Sequence, residues 1–252
     1  MSSSASGLCV VVATHKAYQM PEDDAYLPLQ VGAAGRPSLG FRRDDEGSGI
    51  SDRNPHYCEL TGLYWAWKNT TSEYLGLVHY RRLFKGSRGI ASGAELLAKL
   101  QDVDVLVPRP RNYFIESNYS QYAHAHHAQD LDETRAILSE RHADYLPAYD
   151  AVMKSTKGHR FNMFVMRRQV LESYCAWLFD VLFELERRLD ISDYSTYDAR
   201  VFGFVSERLL DVWLTRNGIR FTELPVLNLE SQHWPTKILN FLRRKFSGKG
   251  AR

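Results

Sequence analysis

The chain has 252 residues, with 32 Lys and Arg against 30 Asp and Glu, and a formal net charge of +2. Hydrophobic residues at 44% and charged residues at 25% are ordinary for a globular domain with a substantial core, which excludes disordered or collagen-like organisation. No apolar run reaches the roughly 20 residues of a membrane span, and so small a net charge gives no reason to expect nucleic acid as a partner.

Leu8–Ala13 is a continuous apolar run followed by Thr14, His15 and Lys16. Apolar on both faces, it reads as a central parallel strand. Short and without a basic flank, it does not read as a leader segment. Residues 32–54 are rich in Gly, Asp, Arg and Ser and read as one long loop, which in a compact domain is functional or mobile. Asn54 and Pro55 suit an N-cap and a first helical position, and the segment to about Asn69 reads as one buried, aromatic-rich helix carrying Glu59. Tyr74–Val78 is a second strand, ending in His79, Tyr80, Arg81 and Arg82. Gly93–Leu100 is a short helix, and Val103–Val107 a third strand stopped by Pro108 and Pro110. Alternating strands and helices over residues 8–110 predict a parallel α/β sheet.

The second half reads as mostly helical. Residues 119–141 form a polar helix with His124, His126 and His127, residues 145–155 a short helix, and Arg160–Met166 a strand. Residues 167–190 form a long amphipathic helix, 198–216 a further helix ended by Asn217 and Gly218, and Arg220–Leu224 a last strand. Cys9, Cys58 and Cys175 are widely spaced with apolar neighbours. They predict buried free thiols, not disulfides or zinc ligands, in a reducing cytoplasm.

In open α/β sheets, ligands bind beyond the carboxyl ends of the strands. Thr14–Lys16 follow the first strand, His79–Arg82 the second, and Arg109 and Arg111 the third. Such residues at three strand ends point to an anionic ligand, because guanidinium forks suit phosphate oxygens. The plainer alternative is that strand ends simply reach the surface. The phosphate-binding patterns GxxxxGK[ST] and GxGxxG are absent. Asp102 and Asp104 spell a metal-binding DxD, but they begin a strand, where a helix-to-strand connection explains them. The slot after the second strand holds His79–Arg82 instead, whose charge would serve a leaving diphosphate without a metal ion. No metal site and no cofactor is expected. His126 and Asp130, four apart on one predicted helix, would either orient an imidazole or form a solvated pair. Glu59 and Glu207 sit in otherwise apolar helices, where each either pairs with an arginine such as Arg200 or Arg208 or lines a cleft as a general base. Residues 231–252 carry Lys237, Arg243, Arg244, Lys245, Lys249 and Arg252 without an acid, interleaved with Ile238, Leu239, Phe241, Leu242 and Phe246. This basic amphipathic tail suits either an anionic membrane surface or docking on the domain.

The segments ATHK (13–16), YLPLQVG (26–32), ISDRNPHYCELTGLYWAWKN (50–69), YLGLVHYRRLF (74–84), DVLVPRPRNY (104–113), HHAQDL (126–131), FNMFVM (161–166), YCAWLFDVLFELE (174–186) and RVFGFVSERLL (200–210) together resemble a bacterial family. That family was first catalogued as a domain of unknown function in capsule, exopolysaccharide and O-antigen gene clusters. Its members look like glycosyltransferases with a GT-A-related fold, some of them galactofuranosyltransferases. CELTGLYWAWKN and GLVHYRRLF carry the resemblance most specifically. It implies a single glycosyltransferase domain over residues 1–230, with the 231–252 tail beyond it. The implied fold is α/β, GT-A-like (Rossmann-like), with a mainly parallel sheet and a helix-rich C-terminal half.

The resemblance further implies transfer of a sugar from a nucleotide-diphosphate donor, such as a UDP-sugar, to a glycan or lipid-linked acceptor, without a metal ion. Thr14, His15 and Lys16 would meet the nucleotide or its diphosphate, and Asn69, His79, Tyr80, Arg81 and Arg82 would line the donor pocket. His126, Asp130 and Asn162 would lie near the donor sugar or diphosphate, and Glu207 or Glu59 would be the base. A non-catalytic scaffold of a polysaccharide assembly complex would keep the same core without needing the acid at Glu207. A metal-free phosphotransferase or nucleotide-sugar hydrolase is a further reading. The expected location is cytoplasmic, with the tail offering contact to the inner face of the plasma membrane.

Overall fold

The computed structural model describes residues 7–230, so the predicted 231–252 tail lies outside the described residues. The strands are β1 (Leu8–Thr14), β2 (Tyr26–Gln30), β3 (Arg42–Arg43), β4 (Tyr74–His79), β5 (Arg82–Gly86), β6 (Gly89–Ile90), β7 (Val105–Pro108), β8 (Arg111–Asn112), β9 (Lys157–Gly158), β10 (Phe164–Arg167), β11 (Phe221–Leu224) and β12 (Val226–Asn228). The helices are α1 (Asn54–Tyr57), α2 (Leu60–Asn69), α3 (Gly93–Lys99), α4 (Asn118–Ala125), α5 (Ala128–Arg141), α6 (Leu146–Lys154), α7 (Arg168–Arg188) and α8 (Val201–Arg216).

The main sheet runs in the order β11-β7-β10-β4-β1-β2-β3. Its strands are parallel except β10, which is antiparallel to both β4 and β7. The carboxyl ends of β1, β2, β4 and β7 therefore share one rim. Cys9, Val11 and Ala13 of β1 enter the core under α2, α7 and α8, while Leu8, Val10 and Val12 enter the core under α3 and β5. Burial on both faces is why this strand is apolar without alternation. In α7 a stripe from Leu171 through Tyr174, Leu178, Val181 and Leu185 is fully buried, as its helical spacing predicts. A Ser92–Glu95 capping box starts α3, where two orphan backbone donors find partners.

Several expectations need correction. The sheet is mainly parallel as expected, but the strand expected over 160–166 is shorter, Phe164–Arg167, and runs antiparallel. β2 was not expected as a strand, since Pro28 interrupts its β signature, yet it pairs with β1 from Val10↔Tyr26 to Thr14↔Gln30. The helix expected over 54–69 is two helices separated by Cys58, whose φ of 53° no helix accommodates. Asn54 is not an N-cap; its amide donates to the Cys58 carbonyl at 2.7 Å and to Thr61 Oγ1 at 3.1 Å, holding the break. The helix expected over 119–141 also breaks, at His126 and His127. The 32–54 segment is an ordered connection around Asp44, a fully buried carboxylate. It accepts from the backbone of Gly32 and Ala33 and from the hydroxyls of Ser51 and Thr61.

Candidate functional site

At the carboxyl ends of β1 and β4 lies a cavity of about 560 Å³. Four segments build it. The first is the end of β1, where Thr14 Oγ1 donates to the Lys16 carbonyl at 2.6 Å and makes the turn that carries His15. The second is a hairpin. β4 and β5 pair through His79↔Arg82, so Tyr80 and Arg81 are its two-residue turn and His79 and Arg82 are cross-strand neighbours. The third is the α1–α2 break, which delivers Cys58 and Glu59. The fourth is the start of α8, where Arg200, Gly203, Phe204 and Glu207 follow the spacing of one helical face. Gly203 allows close approach there, since a Cβ would lie 3.1 Å from Cys58 Sγ, tighter than an ordinary contact.

A turn with two consecutive left-handed residues, Phe161 (φ 78°) and Asn162 (φ 51°), ties these pieces together. The Phe161 amide donates to Glu207 Oε1 at 3.0 Å. His79 Nε2 lies 2.6 Å from the Phe161 carbonyl, which can only accept, so this nitrogen carries the proton. The Asn162 amide donates to Glu59 Oε1 at 2.7 Å and to the Gly203 carbonyl at 3.1 Å, and its oxygen accepts from Ser206. His79 Nε2 stands 4.0 Å from Glu59 Oε1. Glu207 Oε2 stands 3.8 Å from Arg208, whereas Glu59 Oε2 has no hydrogen-bond partner among the described residues.

Positive charge shares the lining with the two carboxylates: Arg36, Arg81, Arg82 and Arg200 line the cavity with His15. Burial, then the nearby charges of Arg81, Lys16, Arg36 and Arg200, pull the His15 imidazole below its ordinary value, so it is neutral near pH 7. Arg82 lies over the Phe161 ring at 4.4 Å, and its buried Nε has no hydrogen-bond partner. Burial, then Arg81, lower its pKa. An under-satisfied guanidinium facing a cavity is suited to an incoming anion. Burial, followed by Glu59, pushes the Cys58 thiol up to about 12, so it stays protonated.

The structure brings His15, Glu59, His79, Tyr80, Arg81, Arg82 and Glu207 into one lining. The other predicted residues stand outside that lining. Thr14 is fully buried in its turn. Lys16 lies over the Tyr80 ring and pairs with Glu230 at 3.0 Å; the same carboxylate takes Arg81 at 3.3 Å. Asn162 is buried behind Glu59. Asn69 closes the turn at Ser48 by accepting from its amide and donating to its carbonyl. His126 and Asp130 do not share a helix. His126 stacks 4.4 Å behind Phe204 and meets Asp198 at 3.0 Å, while buried Asp130 accepts from Tyr122 and Tyr194. Asp102 and Asp104 lie before β7, at the end of the sheet away from the cavity. Arg109 and Arg111 are outside the lining, because β10 intervenes between β4 and β7.

The sequence reading did not assign Arg36, Cys58, Phe161, Arg200, Gly203 and Phe204 to the site. The positions 200, 203, 204 and 207 do carry a legible signal, the one-face spacing of a helix. Arg36, in an irregular segment, carries none.

The residues that build this cavity all fall within a family match. The model of the domain of unknown function DUF4422 matches residues 9–218. The chain belongs to this family. One solved structure, the apo form of the WbbM bifunctional glycosyltransferase, superimposes on the DUF4422 chain with a TM-score of 0.83 and 27% sequence identity. The match covers 89% of this chain and 45% of that one, so the DUF4422 chain spans less than half of the bifunctional protein. No curated protein matches. The likeness identifies the α/β sheet as GT-A-like.

Proposed function

We propose that the chain is a glycosyltransferase of surface polysaccharide biosynthesis. It transfers a sugar from a nucleotide-diphosphate donor to a glycan or lipid-linked acceptor. The observation that carries this reading is the cavity itself, where two carboxylates share the lining with four arginines at the carboxyl rim of the sheet. The likeness to a glycosyltransferase supports it.

In an inverting transfer, Glu59 Oε2 takes the proton of the acceptor hydroxyl. The oxygen attacks the anomeric carbon, and the bond to the diphosphate breaks with its electron pair on the leaving oxygen. Arg82, Arg81 and Arg200 receive that charge, the work a divalent ion does in metal-assisted transfer. Asn162 holds Glu59 through Oε1 and leaves Oε2 for the acceptor, while Glu207 fixes the Phe161 turn. His15, kept neutral, and Tyr80 face the nucleotide side. The donor class is a UDP-sugar, with UDP-galactofuranose the first to try. The 231–252 tail, with its six cations and no acid, holds the enzyme on the inner face of the plasma membrane.

Donor consumption and product formation measured on the parent chain, Glu59→Gln and Glu207→Gln test the reading. Loss of about 100-fold or more in Glu59→Gln, with unchanged donor affinity, is expected for a general base. A parent chain that binds donor and transfers nothing to any acceptor would instead support the scaffold. Release of free sugar would support a hydrolase.

A further inference from the structure

The turn between β8 and α4 exposes two large apolar side chains, Phe114 at 79% and Ile115 at 76%. No other large hydrophobic residue among the described residues is as exposed. An aliphatic–aromatic pair so presented has no structural use in the isolated fold. The turn is also internally satisfied. Asn112 Oδ1 accepts from the Phe114 amide at 2.8 Å, and the Tyr113 carbonyl accepts from the Ile115 amide at 2.7 Å. It can therefore leave water without stranding those backbone donors.

Arg109 and Arg111 precede this tip in the chain, Lys157 lies on the paired strand and Lys154 ends α6; all are exposed, and none is in an ion pair with an acid among the described residues. Lys157 sits opposite Asn112 in the β8–β9 pair. The nearest acid on the tip, Glu116, is already bound to His124 at 2.8 Å. An apolar tip accompanied by cations matches an anionic lipid surface, which offers hydrocarbon beneath negative headgroups.

We infer that the Tyr113–Glu116 turn inserts Phe114 and Ile115 into an anionic bilayer surface, with Arg109, Arg111, Lys154 and Lys157 on its headgroups. Its residues are distinct in sequence from the 231–252 tail. It also lies close to the cavity. Arg160, two residues beyond β9, donates to the Tyr113 hydroxyl at 3.0 Å and precedes Phe161 of the cavity wall. Docking there brings the cavity wall toward the lipid surface, where the headgroup of a lipid-linked acceptor lies. That consequence rests on the proposed function; the docking itself does not.

The test uses the full chain and vesicles of phosphatidylcholine mixed equally with phosphatidylglycerol, against phosphatidylcholine alone. Co-sedimentation with the anionic vesicles is expected to weaken about tenfold or more in Phe114→Ser combined with Ile115→Ser, given the apolar area withdrawn. It is expected to fall with Arg109→Ala combined with Arg111→Ala as well. The indole introduced by Phe114→Trp should add blue-shifted emission, quenched by brominated lipid, relative to the parent chain. These positions are exposed, so unchanged circular dichroism and melting are expected for every variant. Partition of the serine variant within twofold of the parent, an unquenched indole, or equal binding to neutral vesicles overturns the inference. Donor binding measured in the Phe114→Ser, Ile115→Ser variant stays at the parent value whether or not the membrane site is real, which keeps this test apart from that of the proposed function.

Discussion

Arg82→Met keeps the apolar stem beside Phe161 and deletes the guanidinium that stands 4.4 Å from its ring. The effects on stability and on binding are opposed and separable. Stability loses a cation–π contact of about 0.5–2 kcal/mol. It also loses the burden of a buried Nε without a partner, which costs about 1–3 kcal/mol. The net change in unfolding free energy is therefore expected between a loss of about 1 kcal/mol and a gain of about 2.5 kcal/mol. Binding loses a charge-assisted hydrogen bond to the diphosphate, worth about 1.5–3 kcal/mol. At 1.4 kcal/mol per decade this is a roughly 10- to 100-fold rise in Kd. Titration calorimetry with UDP, run beside urea unfolding, reads both quantities. Arg81→Met is expected to cost less, because Arg81 is more exposed and already shares Glu230 with Lys16. A Kd for Arg82→Met within twofold of the parent, at unchanged stability, would refute the diphosphate role of this arginine.

Asn162→Ala removes hydrogen bonds to Glu59, the Gly203 carbonyl and Ser206 and leaves alanine at a φ of 51°. A loss of about 2–4 kcal/mol in urea unfolding is expected, together with slower turnover as Glu59 loses its anchor; a loss below about 1 kcal/mol would contradict the account. Burial alone would lower the pKa of His159, but Asp211 at 2.5 Å and Glu223 at 3.5 Å outweigh it and raise the pKa. Arg160 faces the same Asp211 at 3.9 Å. The charged imidazole therefore contributes stability fully below the unfolded value of about 6.5, and this is lost as pH rises through the higher folded value. Unfolding profiles against pH should lose that slope in Asp211→Asn, and parallel profiles would count against it. Transfer activity is expected to survive EDTA; abolition by chelator with rescue by Mn²⁺ or Mg²⁺ would return attention to Asp102 and Asp104.

Much of the frame could be read directly from the chain. The apolar runs at Leu8–Ala13 and Tyr74–Val78 declared strands, the first as buried on both faces, and the stripe from Val170 to Leu185 declared one side of a helix. Those patterns are local, and burial acts on each residue in proportion to its own side chain. His79–Arg82 was legible as cationic for the same reason. That it forms a hairpin, with His79 and Arg82 across from one another, was not, because β5 has no strand signature of its own.

The helix breaks at Cys58 and at His126–His127 run against local propensity. Each is fixed by partners elsewhere: Asn54 holds the first, and Asp198 with the Phe204 and Tyr197 rings holds His126. Placing Asp130 beside His126 followed from assuming one unbroken helix. The antiparallel course of β10 was equally hidden, since a buried strand has the same composition in either direction.

What the chain alone determined was the main buried strands, the amphipathic helices and which residues carry charge. Only the tertiary structure decided that Glu59 and Glu207 converge on the Phe161–Asn162 turn, more than a hundred residues from the first and some forty from the second. Propensity and burial are properties of single residues and their neighbours. The convergence depends on strand order, on two left-handed residues and on Gly203 letting α8 approach Cys58, and only the closed fold brings these together.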